Sequence, residues 1–155
     1  MKKTVLLTGG AGFIGSHLCE DLLRSGDWRV VIVDDLNDFY SPEIKRANLA
    51  AFAGSPDVEF IEGDIRDAEK LESVFAANRF DQVVHLAARA GVRPSLTQTK
   101  LYYETNVIGT LNLLELAREH GVPHFVFGSS SSVYGATCSV PFKEDATIRK
   151  PISPY

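Results

Sequence analysis

Cysteine is scarce in this chain, and the two that are present, Cys19 and Cys138, form no CxxC pair. A disulfide framework is therefore not expected, and the pair is typical of free thiols in a reducing cytoplasm. Histidine clusters are lacking as well, which argues against a metal site. The four histidines are spread along the chain at His17, His85, His120 and His124.

Excess basic charge and long apolar runs are also absent. The 155 residues include 16 lysines and arginines against 20 aspartates and glutamates, a formal net charge of −4, which disfavours a nucleic-acid-binding surface. No apolar run is long enough to span a bilayer. The first residues, Met1–Thr4, lead into a strand and do not resemble a signal peptide. We therefore expect a soluble, cytoplasmic protein with no nucleic-acid or membrane partner.

What the chain does have is a glycine-rich turn between a strand and a helix. The stretch Thr8–His17, TGGAGFIGSH, follows an apolar β-rich run and places Gly9, Gly12 and Gly15 three residues apart. Glycines at such spacing permit a tight turn, close approach of the backbone to a pyrophosphate, and close helix–sheet packing. The N–H groups at the helix N-terminus then favour bound phosphates. The pattern predicts a dinucleotide-binding site.

An acidic residue stands where a dinucleotide site needs one. Asp34 closes a second apolar strand, nineteen residues past Gly15, and a carboxylate there can accept hydrogen bonds from an adenosine ribose. A 2′-phosphate would meet Asp34 and the neighbouring Asp35, so we expect NAD rather than NADP. The alternative is a simple glycine turn followed by a solvated acid.

Strand and helix signals alternate from end to end of the chain. This alternation predicts a doubly wound parallel sheet of the Rossmann type, with three α/β/α layers. Beyond the first two strands, we expect strands at about 58–61, 81–86 and 124–127, and helices at about 42–52, 67–75 and 98–120. From Gly128 onward the pattern indicates loop.

Ligands in such sheets lie beyond the carboxyl ends of the strands. There, Asp64 would accept from an adenine amino group with Ile65 against the ring, unless Asp64 only caps a turn. Ala87 and Ala88 are small enough to let a cofactor pass, or they are simply packed tightly. The serine run Ser129–Ser132 is too polar for a core, and its generic alternative is a solvated turn.

Together these motifs resemble the extended short-chain dehydrogenase/reductase family of NAD-dependent nucleotide-sugar epimerases and dehydratases. The family patterns TGGxGFIG, GDIRD, HLAA and SSSSVYG stand at Thr8–Gly15, Gly63–Asp67, His85–Ala88 and Ser129–Gly135. The final residues, Ser153–Tyr155, resemble the approach to the family's YxxxK motif, whose lysine would lie four positions past Tyr155. The resemblance therefore implies that residues 1–155 are an NAD-binding domain cut before that lysine and before a sugar-binding domain.

The resemblance also implies residue roles. Ser130 and Tyr155 would be catalytic, and Ser130, Ser131 and Arg93 would contact the substrate, although Arg93 could equally form a surface salt bridge. Asp35 departs from the asparagine that is common at its position. The residues implied for NAD binding are Gly9, Gly12, Phe13, Ile14, Gly15, Asp34, Asp35, Asn37, Asp64, Ile65, Leu86, Ala87, Ala88 and Asn106.

Within the family, the stretches Asp35–Tyr40, with Lys45 and Arg46 after it, and Ala90–Arg93 are similar to UDP-glucuronate 4-epimerases. Sugar 4,6-dehydratases carry an Asp-Glu pair where Ser131 and Ser132 stand in this chain. Because neither carboxylate is present here, the resemblance favours C4 epimerisation over dehydration. The implied reaction converts a UDP-sugar, of the glucuronate or galactose/glucose type, through a 4-keto intermediate in a homodimeric parent. The fragment itself is expected to be inactive. A dehydratase, a carbonyl reductase and a non-catalytic NAD-binding module remain as alternatives.

Overall fold

The computed structural model describes residues 1–136, 140–148 and 150–155, so Cys138 lies outside the described residues. Five parallel strands form one sheet in the order β3-β2-β1-β4-β5. In chain order the strands are β1 (Lys3–Thr8), β2 (Trp28–Asp34), β3 (Val58–Glu62), β4 (Gln82–His85) and β5 (Phe125–Phe127). The strand order reverses between β1 and β4, and this reversal confirms the doubly wound sheet.

The connecting segments are mostly helical. They are α1 (Phe13–Ser25), α2 (Pro42–Ala50), α3 (Ala68–Ala77), α4 (Val92–Thr97), α5 (Thr99–Tyr103), a π-helical segment (Glu104–Gly109), α6 (Thr110–Glu119) and a 3₁₀ turn (Ser131–Tyr134). Asp67 caps α3 by accepting from the Lys70 N–H at 2.9 Å, as its sequence position indicates. Among the described residues, no helix is long and apolar enough to cross a membrane.

The helix predicted over residues 98–120 exists, but it is not uniform. It consists of α5, the π-helical segment and α6 in direct succession, and the short α4 precedes it without having been predicted. Gly121, with φ of 66°, follows the last helical residues, and a glycine in this left-handed conformation is a common end to a helix. The π-helical segment widens the helix where it faces the loop after β4, and this placement matters for the site below.

Two apolar clusters cover the two faces of the sheet, because alternate residues of each strand point to opposite sides. Leu6, Val31 and Val33 pack with residues of α3 and α6 on one face. Val5 and Ile32 pack with Cys19 of α1 and its neighbours on the other. The strands β1 and β2 are therefore covered on both faces, which accounts for their continuous apolar sequences. The predicted three-layer arrangement is confirmed.

Candidate functional site

A cleft opens at the carboxyl ends of β1, β2, β3 and β4, around the point where the strand order reverses. Many of the sequence-predicted cofactor residues meet in its walls. They are Gly9, Gly12, Asp34, Asp35, Asn37, Asp64, Ile65, Leu86, Ala87 and Ala88. Val33, Phe39, Tyr40, Lys45, Gly63, Arg89, Ala90 and Thr105 complete the lining. We call this space the adenosine cleft, after the part of a dinucleotide that Asp34 is suited to bind.

The glycine turn is shaped by backbone contacts that exclude side chains. Gly9 has a φ of 73°, and a Cβ placed on it would lie 2.7 Å from the backbone nitrogen of Ala87. A Cβ on Gly15 would collide with the carbonyl oxygen of Gly9. The Gly9 N–H donates to the Val33 carbonyl at 2.8 Å, which joins the turn to the end of β2. These contacts bring the start of α1 directly against the cleft.

The N-terminus of α1 offers free donors to an anion. Gly12 is the cap residue, no side chain caps the helix, and its first turn contains no acidic residue. The first-turn N–H groups and the positive end of the helix dipole therefore suit a phosphate. Phe13 and Ile14 are 75% and 68% exposed and lie outside the cleft lining, so their contact with a cofactor stays a prediction of the sequence.

Asp34 is almost completely buried, at 6% exposure. Its Oδ2 accepts from the Ala11 N–H at 3.2 Å and its Oδ1 from the Leu36 N–H at 3.0 Å. The alternative of a solvated acid behind the glycine turn is therefore wrong, and the carboxylate is held in one orientation at the cleft wall.

Asp64 and Ile65 occupy the part of the cleft that follows β3. Asp64 accepts from the Arg66 backbone N–H at 2.8 Å and from Arg66 Nε at 3.0 and 2.9 Å. Burial alone would raise the pKa of Asp64, but the hydrogen bonds and charge of Arg66 outweigh burial and lower it. Asp64 therefore does cap a turn, as the alternative predicted, and its carboxylate also lines the cleft. Ile65 is buried and provides an apolar floor.

Asn106 binds the backbone of the loop after β4, and its predicted contact with NAD stays a prediction. Its Oδ1 accepts from the Arg89 N–H at 2.7 Å, and its Nδ2 donates to the Arg89 carbonyl at 2.9 Å. The Tyr102 hydroxyl donates to the Ala90 carbonyl at 2.6 Å. The π-helical segment and α5 therefore hold the loop after β4, which forms one wall of the adenosine cleft. Asn106 lies outside that cleft and lines a second pocket.

Sequence reasoning missed a hydrogen-bonded chain through His85. His85 Nδ1 lies 2.6 Å from Thr8 Oγ1, and Nε2 lies 2.9 Å from Thr110 Oγ1. The Thr110 hydroxyl donates to the Asn106 carbonyl at 2.7 Å. The Thr110 oxygen therefore accepts a hydrogen bond from Nε2, which carries the ring proton. Nδ1 is then unprotonated and accepts from the Thr8 hydroxyl. Burial lowers the pKa of His85 to about 4, so the ring is neutral at pH 7 and ties β1, β4 and α6 together.

Lys45 is the second residue that sequence reasoning did not place at the site. It lies in α2, lines the adenosine cleft and is only 5% exposed. Its Nζ is 3.5 Å from Asp34 Oδ1, 4.0 Å from Asp35 Oδ1 and 5.2 Å from the centre of the Tyr40 ring. The available signal was a lysine eleven residues after Asp34, in a helix that must fold back over the end of β2.

A second pocket adjoins the first and contains both predicted catalytic residues. Ser130 and Tyr155 line it together with Ala87 and Ala88, which also line the adenosine cleft. Tyr155 is half-buried, and its ring lies edge-on to that of Tyr102 with 6.4 Å between ring centres. We call this space the serine–tyrosine pocket. The other residues in its lining are Asn106, Val107, Thr110, Phe127, Gly128, Ser129, Val133 and Pro154.

The predicted substrate residues are only partly brought together. Ser130 lies at the serine–tyrosine pocket, where its Oγ accepts from the Ser132 N–H at 3.1 Å and caps the 3₁₀ turn. Ser131 is exposed on that turn and outside the pocket lining. Arg93 is exposed on α4 and lines neither the pocket nor the cleft. A direct role for Ser131 and Arg93 therefore stays a prediction of the sequence.

Comparison with known proteins identifies the family. A family model described as GDP-mannose 4,6 dehydratase matches residues 6–155. The chain belongs to this family. The resemblance to NAD-dependent nucleotide-sugar epimerases and dehydratases is thereby confirmed.

The relatives of the chain include several 4-epimerases. UDP-glucose 4-epimerase 2 of Oryza sativa subsp. japonica is 46% identical over 99% of the chain and 37% of its own length. UDP-glucuronate 4-epimerase 4 of Arabidopsis thaliana is 43% identical over 98% of the chain and 35% of its own length. The chain thus spans less than half of these relatives.

A solved structure supports the same relationship. The crystal structure of UDP-glucose 4-epimerase from Thermus thermophilus in complex with NAD superposes with a TM-score of 0.83 at 39% identity. The match covers 98% of this chain and 46% of that one. The shared fold therefore extends over nearly all of the present sequence.

Proposed function

We propose that the chain binds NAD and supplies the cofactor-binding part of a nucleotide-sugar 4-epimerase. The observation that carries the proposal is the continuity of the two clefts through Ala87 and Ala88. One end presents a buried ribose-binding carboxylate, and the other presents a serine and a tyrosine. A dinucleotide lying along this path has its adenosine at Asp34 and its nicotinamide near Ser130 and Tyr155.

The residues present fit NAD. The uncapped N-terminus of α1 at Gly12 suits the pyrophosphate, Asp34 suits the adenosine ribose, and Ile65 with Asp64 suits the adenine. The small side chains of Ala87 and Ala88 leave the path between the clefts open. The chemistry that bound NAD would supply is reversible hydride transfer with C4 of the sugar. The chain's own residues bind and orient the reactants and move the proton of the sugar hydroxyl.

The serine–tyrosine pocket suits that proton transfer. Tyr155 would remove the proton of the sugar 4-hydroxyl, and Ser130 would hydrogen-bond the same oxygen. Packing of the Tyr155 ring against Tyr102 limits the positions that its hydroxyl can occupy. Both groups line a pocket that adjoins the adenosine cleft, which supports the roles implied by the resemblance.

The residue types in the described lining of this pocket favour epimerisation over dehydration. Elimination of water from a sugar needs an additional acid and base, whereas C4 epimerisation needs only hydride and proton transfer. Among the described residues, no aspartate or glutamate lines the serine–tyrosine pocket. A UDP-glucuronate or UDP-glucose/galactose substrate is proposed from the relatives' names. A cytoplasmic location stays a prediction of the sequence.

Titration calorimetry of the 155-residue chain with NAD tests the proposal. Wild type should bind NAD, and Gly12→Val should abolish binding because its side chain would occupy the cleft at the N-terminus of α1. Gly12 has a φ of −75°, which valine can adopt, but an added Cβ would lie 3.2 Å from the Gly9 carbonyl oxygen, so circular dichroism must first show that the variant is folded. Ala76→Val, which enlarges an exposed position on α3, is the matched control. A wild-type chain that binds no NAD would overturn the proposal.

A further inference from the structure

Lys45 is a charged group at the adenosine cleft whose hydrogen-bonding capacity is mostly unused. An ammonium has three N–H donors, and a nearly buried polar group without partners is costly. Within the described residues, the one hydrogen bond of Lys45 is to Asp34 Oδ1, and at 3.5 Å it is long. Asp35 Oδ1, at 4.0 Å, is beyond hydrogen-bonding distance. The lysine thus retains donors in a position that lines the cleft.

Asp34, beside Lys45, has unused capacity to accept a hydrogen bond. Its Oδ1 already accepts from Leu36 N–H and faces Lys45, whereas Oδ2 accepts from Ala11 N–H. A carboxylate oxygen can accept two hydrogen bonds, so Oδ2 retains the capacity to accept one more. An acceptor and a donor with spare capacity therefore lie side by side at the same point of the cleft.

We propose that Lys45 is a ribose-specificity residue of this site. Each hydroxyl of a ribose diol can both donate and accept a hydrogen bond. A carboxylate can only accept, so it leaves the hydroxyl oxygens without a donor. Asp34 accepts a hydrogen bond from one ribose hydroxyl while the Lys45 ammonium donates a hydrogen bond to a hydroxyl oxygen, so the pair recognises the vicinal diol both as donor and as acceptor. This inference rests on the proposed NAD binding and names a residue that the glycine motif and Asp34 do not include.

The local structure holds Lys45 ready for this role. The Tyr40 ring lies over the ammonium, 5.2 Å from its centre, a cation–π distance that stabilises the charge. Asn48, three residues further along α2, donates from Nδ2 to the Ala11 carbonyl at 2.9 Å. The helix that carries Lys45 is therefore fixed to the same glycine turn that donates to Asp34.

Calorimetric titration of the chain with ADP and with 2′,3′-dideoxy-ADP tests the proposal. Lys45→Met should weaken ADP binding by roughly 10-fold or more, as expected for a hydrogen bond from a charged donor. It should leave dideoxy-ADP nearly unchanged. Lys2→Met, which removes a lysine paired with Asp57 away from the cleft, should leave both affinities unchanged. Lys45→Gln, whose side chain is shorter and uncharged, should weaken ADP binding more than dideoxy-ADP binding as well, and it replaces the Met variant if that variant does not fold.

The outcomes separate three cases. Selective loss of ADP affinity supports the role of Lys45 in ribose recognition. Equal weakening of both nucleotides, or no change in either, overturns it while leaving the proposed NAD binding intact. A wild-type chain that binds neither NAD nor ADP overturns both proposals together.

Discussion

Asn106 holds the backbone of Arg89 from both sides, accepting from its N–H at 2.7 Å and donating to its carbonyl at 2.9 Å. The two residues are seventeen positions apart, one in the π-helical segment and the other in the loop after β4. A side-chain amide has both a carbonyl acceptor and N–H donors, so it can make both bonds at once. The wall of the adenosine cleft between Leu86 and Ala90 is therefore fixed from behind.

Replacing Asn106 should loosen this wall. Asn106→Ala removes both hydrogen bonds and should lower the free energy of unfolding by about 1–3 kcal/mol, with weaker NAD binding. Asn78→Ala is the matched control, because Asn78 accepts from Arg29 and donates to the Val74 carbonyl at a distance from the cleft. Urea unfolding and NAD calorimetry of both variants check the prediction. Equal effects of the two variants on NAD affinity would contradict it.

His85 should make stability depend on pH. Its pKa in the folded chain is lowered to about 4 by burial, so between about 6.5 and 4 the unfolded state binds a proton that the folded state does not. The contribution of neutral, buried His85 to the free energy of unfolding is fully present above pH 6.5 and is lost as the pH falls towards 4. The loss is at most on the order of 3 kcal/mol.

Urea unfolding from pH 7 to pH 4 measures this dependence in wild type and His85→Gln. The variant lacks the titrating ring and should show a shallower loss of stability over the same interval. Identical slopes in the two proteins would show that another group carries the effect.

Asp34 should set the preference for NAD over NADP. A 2′-phosphate would lie against a buried carboxylate, so wild type should favour NAD by roughly 10-fold or more. Asp34→Asn removes that charge and leaves Lys45 in place, which should narrow the preference. Asp38→Asn, an exposed acid in the same loop, is the control. Calorimetric affinities for both cofactors test this, and tighter binding of NADP by wild type would refute it.

The fold was largely predictable, because strand and helix periodicity and the glycine turn depend on neighbouring residues. The roles of His85 and Lys45 were not. His85 acquires its partners from Thr8, 77 residues away, and from Thr110 in another element. The burial of Lys45 depends on how α2 packs on the end of β2. The π-helical segment was missed as well, because its apolar spacing is compatible with an ordinary helix.

The chain should not interconvert UDP-glucuronate by itself. Among the described residues, no lysine or arginine lines the serine–tyrosine pocket, so no side-chain cation of this lining lies beside the proposed proton acceptor. Incubation with NAD and UDP-glucuronate, followed by chromatographic separation of the UDP-sugars, checks this. Formation of the C4 epimer above background would place the catalytic groups elsewhere.

The helical run from α5 to α6 should mediate self-association, as implied for a homodimeric parent. Several of its large apolar side chains are about half exposed: Tyr103, Val107, Ile108, Leu111 and Leu114. Leu111→Lys should shift the chain towards monomer in light scattering, because a charge opposes burial of this face. Ile44→Lys, on the exposed side of α2, is the control. A monomeric wild type at high concentration would refute the prediction.

The contact between Gly9 and the loop after β4 also limits how the sequence can change. An added Cβ would meet the backbone nitrogen of Ala87, and not its side chain, at 2.7 Å. A smaller residue at position 87 could not relieve the clash, since every amino acid has that nitrogen. A library that varies positions 9 and 87 together and selects for folded protein should therefore return glycine at position 9 whatever it returns at 87.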